Sequence, residues 1–139
     1  MSYTCSNEKT KGSLLVVDDE PFIAKYIGLV LGREGYDVLT AFDAETAWEL
    51  FLKEASRIRA VVTDIVMPGA WDGLELARRV RKVAPTTPVL LVTGYPPEES
   101  SGPGYRVLPK PFTAAALQAI LREMVEPAAS LATAGAHAF

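Results

Sequence analysis

Several absences narrow this chain before anything present does. One cysteine, Cys5, occurs in 139 residues, so no internal disulfide can staple the fold, which fits a reducing compartment. No apolar run approaches the ~20 residues needed to cross a bilayer, and the opening MSYTCSNEKTKGS lacks the apolar core of a signal peptide. A cytoplasmic protein with no membrane partner is expected. The single histidine, His137, sits in an alanine-rich tail, too remote to serve a site as donor or base. Lysine and arginine number 14 against 17 aspartate and glutamate, a net charge of −3. No basic cluster offsets that balance, which argues against nucleic-acid binding. The densest basic stretch, Arg78-Arg79-Val80-Arg81-Lys82, falls on an expected helix and reads as a solvated face.

What is present describes an ordinary globular domain, 49% apolar and 22% charged, long enough to bury a real core. Residues 1–12 form a polar leader expected to be disordered. Ser13–Val17 is too short for a helix and rich enough in valine and leucine for a buried strand. Pro21 suits a first helical turn, Ile23, Ile27, Val30 and Leu31 repeat at helical spacing, and Gly35 is a stop. A second strand follows at Asp37–Ala41, then a helix capped by Asp43 with Ala47, Leu50 and Phe51 inward. The third strand is expected at Ala60–Asp64. Asp72 with Glu75 resembles a capping box for a helix whose apolar stripe is Leu74, Ala77 and Val80. The fourth strand, Val89–Thr93, precedes Gly94–Gly104, where three prolines and three glycines leave room for one short turn at most. A fifth strand at Tyr105–Leu108 leads to a last helix capped by Thr113 and ended by Pro127, and the tail 127–139 is expected to be loose. Strand and helix alternate five times, which predicts an α/β fold with a doubly wound, five-stranded parallel sheet.

Four strand ends carry the chemistry. Asp18 and Asp19, Asp64, Thr93 and Lys110 each follow a short apolar run, and side chains just past the carboxyl ends of parallel strands converge on one crevice. Three carboxylates there repel one another, so without a cation at least one should stay protonated. A divalent metal resolves the conflict, and a lysine alone would not. Alone, each residue has an ordinary role as a helix-start acid, a turn residue, a strand end or a solvated lysine. Together, carboxylates, a hydroxyl and an ammonium suit the holding of a phosphoryl group.

With the strands placed, the chain resembles the receiver domain of two-component response regulators. The matching segments are LLVVDDEP (14–21), VVTDIVMPG (61–69), DGLELARRVR (72–81), PVLLVTGY (88–95) and LPKPF (108–112), covering about Ser13 to Glu126. The resemblance implies a flavodoxin-like receiver domain over 13–126, with Asp64 as phosphoacceptor. Asp18 and Asp19 match the acidic pair that holds Mg2+ with Asp64, and the backbone carbonyl of Val66 would be a further ligand. Thr93 and Lys110 match the residues that contact the phosphoryl group, and the 110–111 peptide is expected to be cis. The implied partners are a sensor histidine kinase or histidine phosphotransfer protein as donor and a downstream protein as target. The domain would catalyse its own phosphorylation without being a classical enzyme.

Three departures qualify the match. Val107 stands where many receivers carry an aromatic residue that couples to the threonine, and Tyr105, two residues away, shares its strand face. The stretch between Thr93 and Lys110 implies a shortened or disordered fourth helix, as in a subgroup marked by a Thr-Gly-hydrophobic-Tyr-like strand end. Val66 and Tyr95 occupy positions that tune phosphate lifetime, and an apolar Val66 with a shielding Tyr95 implies slow hydrolysis. Trp48 is expected to pack on its helix and Trp71 within its loop. The initial methionine and the leader favour a stand-alone regulator over a receiver segment of a hybrid histidine kinase. An aspartyl-phosphate phosphatase is the alternative from another class, but such enzymes carry Asp-x-Asp after the first strand where this chain has Asp18-Asp19-Glu20. A phosphorylation-independent interaction domain would have a degraded site, and this one is intact.

Overall fold

Valine, leucine and alanine fill the central strands because both faces of those strands are covered. The computed structural model describes residues 11–94 and 105–125. Its elements are β1 (Ser13–Val17), α1 (Pro21–Arg33), β2 (Asp37–Ala41), α2 (Ala44–Glu54), β3 (Ile58–Thr63), α3 (Gly73–Val83), β4 (Val89–Thr93), β5 (Tyr105–Pro109) and α4 (Ala114–Val125). The five strands form one parallel sheet in the order β2-β1-β3-β4-β5.

Alternation along each strand divides the core in two. Leu14 and Val16 of β1, with Val62, Leu90 and Val92, pack against Ile27 and Leu31 of α1 and Leu117 and Leu121 of α4. Leu15 and Val17, with Val61, Val89 and Leu91, pack on the opposite face against Phe51 of α2 and Leu76 and Val80 of α3. This is the doubly wound arrangement expected. Arg122 of α4 reaches Glu34 at the end of α1, 2.8 Å apart, which ties the two helices of one face together.

The helix starts follow local chemistry. Pro21 occupies the first turn of α1. Asp43 caps α2 by accepting from the Thr46 N–H at 2.6 Å, and the Thr113 hydroxyl accepts from the Ala116 N–H at 3.1 Å. Three readings are corrected. β3 starts at Ile58, not Ala60, because Ile58 pairs with Ser13 across a register irregularity, and it ends at Thr63 so that Asp64 stands just past it. The capping box at α3 is only half made. Asp72 accepts from the Glu75 N–H at 2.9 Å, but the Glu75 carboxylate turns to Arg78 and Arg79, at 3.2 and 2.9 Å, where both partners of each bond are charged. The buried stripe of α3 is Gly73, Leu76, Ala77 and Val80, with Leu74 only half-buried.

The basic stretch of α3 is therefore more engaged than a plain solvated face. Arg79 lies 3.7 Å from the centre of the Trp71 ring, and Arg81 lies 5.5 Å from that of Tyr105. Trp48 is half-buried and stacks on Phe51, 6.0 Å between centroids. The expected shortening of the helix between β4 and β5, together with Tyr95, Cys5 and His137, lies outside the described residues. No described helix is long and apolar enough to cross a membrane.

Two substitutions test this packing. Phe51→Ala, at a fully buried position, should cost about 3–5 kcal/mol in urea unfolding. Gly32→Ala, where an added Cβ meets nothing within 4 Å, should raise stability by roughly 0.5–1 kcal/mol through helix propensity.

Candidate functional site

The chain reverses direction around β1 and β3. From β1 it passes outward to β2, then returns to build β3, β4 and β5 on the other side, and the crevice at such a switch point collects the residues that follow both strands. Asp18 and Asp19 follow β1, and Asp64 follows β3. The Asp64 N–H donates to the Val17 carbonyl at 3.0 Å, fastening one strand end to the other. The Lys110 N–H donates to the Thr93 carbonyl at 2.8 Å, which does the same for β4 and β5. The Lys110–Pro111 peptide is cis, as expected.

These backbone ties bring the charged groups together. The Lys110 Nζ lies 3.0 Å from Asp64 Oδ2 and 3.1 Å from Asp18 Oδ2. Carboxylate oxygens of Asp18, Asp19 and Asp64 all fall within 4.8 Å of one another. The side chain of Asp18 is 1% exposed, that of Asp64 12% and that of Lys110 21%, so Asp64 and the lysine keep a path to solvent that Asp18 does not. Thr93 is buried at the end of β4, on the strand next to β3. Val66 is exposed two residues past Asp64. Tyr105 and Val107 are half-buried on the sheet face shared with α2 and α3.

Burial pushes the Asp18 carboxyl above its ordinary value. The Glu20 N–H, 2.9 Å from Oδ1, and the Lys110 ammonium offset this only in part, and the charge of Asp64 adds to the rise. At Lys110, burial pulls the ammonium down. Its hydrogen bonds to Asp64 and Asp18 and their negative charges more than reverse that, and the net displacement is upward. One ammonium cannot neutralise three carboxylates. A hard divalent cation that prefers oxygen ligands fits this donor set.

Asp64 is held by its own loop. Its Oδ1 accepts from the N–H groups of Ile65 and Val66, at 2.6 and 3.3 Å, which leaves Oδ2 facing Lys110. The Thr63 hydroxyl donates to the Asp64 carbonyl at 2.8 Å, and the Gly73 N–H donates to the Ile65 carbonyl at 2.8 Å. At Gly73 any Cβ would sit inside the contact radius of the Asp64 carbonyl oxygen, so only glycine lets α3 start this close to the Asp64 loop. The sequence reading missed Thr63 and Gly73 as site residues. The one signal in the sequence is a glycine directly after the Asp72 cap, which local chemistry alone does not distinguish from an ordinary helix start. Trp71 is half-buried against the core shared by α2 and α3. It lies edge-on to Trp48, centroids 6.5 Å apart.

Comparison with known proteins agrees with the fold. The family model described as response regulator receiver domain matches residues 14–122. Among curated proteins, the DNA-binding transcriptional regulator NtrC of Bradyrhizobium sp. (strain RP501 Parasponia) is 33% identical over 124 residues, 84% of this chain and 25% of the relative. The chain thus spans about a quarter of the length of that relative. Among solved structures, a response regulator receiver domain protein from Clostridium thermocellum superposes with a TM-score of 0.78 at 28% identity, over 86% of this chain and 98% of the other. The receiver domain of the hybrid histidine kinase CckA gives 0.73 at 30% identity, over 83% of this chain and 100% of the other.

The charge balance predicts how stability should respond to pH in the absence of divalent metal. Because folding raises the Asp18 value above its ordinary 3.8, the stability this group contributes is present below 3.8 and is lost as pH rises through the folded value. The contribution of Lys110 is present at all pH below its ordinary 10.5 and adds no slope in the acid range. Asp18→Asn should therefore gain stability over the parent as pH rises from 4 to 7, measured by urea unfolding at each pH. Gly73→Ala should lose about 1–3 kcal/mol in the same assay, as overpacked sites do.

Proposed function

The chain belongs to the response regulator receiver domain family, a family of signalling domains, and from that premise we propose that Asp64 accepts a phosphoryl group. The donor is a sensor histidine kinase or a histidine phosphotransfer protein. The observation that carries this reading is the ammonium of Lys110 standing 3.0 Å from Asp64 and 3.1 Å from Asp18, at the mouth of a crevice with three carboxylates.

In the proposed step an Asp64 carboxylate oxygen attacks phosphorus. A new P–O bond forms as the bond from phosphorus to the imidazole nitrogen of the donor breaks, and that nitrogen keeps the electron pair. The product is an acyl phosphate carrying roughly −1.5 to −2 charges by analogy with phosphoserine. Lys110 offers a compact positive charge on a flexible stem, already directed at Asp64, and pairs with the oxygens of the product. Thr93 donates a hydrogen bond to the same group from the adjoining strand end. Asp18, Asp19, Asp64 and the Val66 carbonyl would hold Mg2+, which would supply charge neutralisation and alignment.

The receiver domain spans 13–126, a proposal supported by the family match over 14–122. It signals by contact with a downstream protein, acts in the cytoplasm and catalyses its own phosphorylation. Its acyl phosphate hydrolyses slowly, because the exposed apolar side chain of Val66 cannot orient an attacking water; Tyr95 would add shielding.

Incubation with acetyl phosphate and Mg2+, followed by intact-mass measurement, tests the reading. The parent should gain the mass of one phosphoryl group and Asp64→Asn should gain none. A parent that gains nothing yet binds Mg2+ needs its cognate donor, and one that does neither is an interaction domain. Val66→Asn should lose the phosphoryl group faster than the parent; equal lifetimes would remove Val66 from this role.

A further inference from the structure

The loop that follows Asp64 is tied at its crest to a different helix. Glu45, in the first turn of α2, sends its side chain out of that helix, and its Oε2 accepts from the Ala70 N–H at 3.0 Å. Acidic residues in a first helical turn ordinarily face the positive end of the helix dipole. Here the adjoining cap is already supplied by Asp43, at 2.6 Å from the Thr46 N–H, which frees Glu45 to reach across. The approach is close because residue 69 is glycine. Gly69 has φ +109°, and a Cβ there would stand 3.1 and 3.3 Å from the two Glu45 oxygens. Next in the chain, Trp71 leans on Trp48 of the same helix, 6.5 Å between centroids, and carries Arg79 on its ring.

We infer that Glu45 is a positioning residue for the Asp64 site, a latch from α2 that holds residues 65–70 where the Val66 carbonyl and Asp64 serve the same cation. The inference rests on the reading of Asp64 and Mg2+ given above. Without the latch, Met67 stays buried in the core and Trp71 stays on Trp48, but the hydrogen bonds left to the backbone between Asp64 and Asp72 are those at its two ends. These are the Ile65 N–H on Asp64 at 2.6 Å and the Gly73 N–H on the Ile65 carbonyl at 2.8 Å on one side, and the Asp72 cap on the other. The span bearing the Val66 carbonyl would then sample geometries in which it no longer faces the carboxylates. Residues that orient a metal ligand from outside typically change affinity by about 10–100-fold. Glu45 is half-buried and its bond to Ala70 is open to solvent, which places it at the lower end of that range.

Three variants separate the latch from helix stability. Glu45→Ala removes the acceptor, Glu45→Gln keeps an oxygen that can accept from Ala70, and Asp43→Ala weakens the cap of α2 without touching the loop. Calorimetric titration with Mg2+ should show about tenfold weaker binding for Glu45→Ala, with most of the affinity retained in Glu45→Gln and parent affinity in Asp43→Ala. Phosphorylation of Glu45→Ala by acetyl phosphate should be slow at low Mg2+ and recover at saturating Mg2+. Hydrogen exchange at the Ala70 amide should accelerate in Glu45→Ala alone. Parent-like Mg2+ affinity in Glu45→Ala would overturn the inference, as would equal weakening in Asp43→Ala. If the parent itself binds no Mg2+ and takes no phosphoryl group, the reading of Asp64 fails. The latch is then judged on the Ala70 amide, and unchanged exchange there in Glu45→Ala overturns it.

Discussion

An ammonium shared between two carboxylates, one of them almost completely buried, is the constraint around which the rest of this molecule is arranged. Lys110 can stand 3.1 Å from Asp18 and 3.0 Å from Asp64 only if β1, β3 and β5 end at the same level. That alignment follows from parallel pairing with β1 and β3 at the centre of the sheet. The alignment in turn requires helices on both faces, since parallel strands need crossovers. The alternating residues of β1 meet that requirement by feeding two separate cores. Charge placement and sheet topology are thus one solution. Carboxylates that would repel are brought together by backbone pairing that has nothing to do with charge.

The cost of that arrangement falls on Asp18. It is buried at the end of a strand whose every residue is buried, and its ionised form is disfavoured there by loss of water. Asp64 remains more open and keeps one oxygen bound to its own loop while the other faces the lysine. The two acids differ in environment although they share a partner. One is closed off from solvent and the other keeps a face open to it.

Much of this was legible in the residues. Short runs such as Leu14–Val17 and Val89–Val92 mark strands buried on both faces, and the polar residues directly after them mark the crevice. Asp43 and Thr113 announce helix starts by chemistry that acts over three residues, and the structure bears both out. What escaped the reading acts over longer range. The bond from Glu45 to Ala70 spans 25 positions, and nothing local distinguishes it from an ordinary first-turn acid. Gly73 matters because α3 and the Asp64 loop meet there, a fact of packing that a Gly after a cap does not declare. Glu75 looked like half of a capping box, yet two arginines one turn further on compete for it more strongly. Leu74 and Leu76 both fit an apolar stripe at helical spacing, and only the direction from which β3 approaches selects Leu76.

The pairing of Trp48 with Trp71 has an optical consequence. These are the two tryptophans of the chain, and they meet at one corner, where the loop after Asp64 crosses α2 and a guanidinium lies 3.7 Å from one ring centre. Indole emission from this protein therefore originates in a single place, beside the loop that follows Asp64, with no background from a distant ring. Two indoles held edge to face also couple electronically, so their near-ultraviolet dichroism should carry a signature of their mutual angle. The molecule comes with a built-in gauge of its own loop, readable without a label.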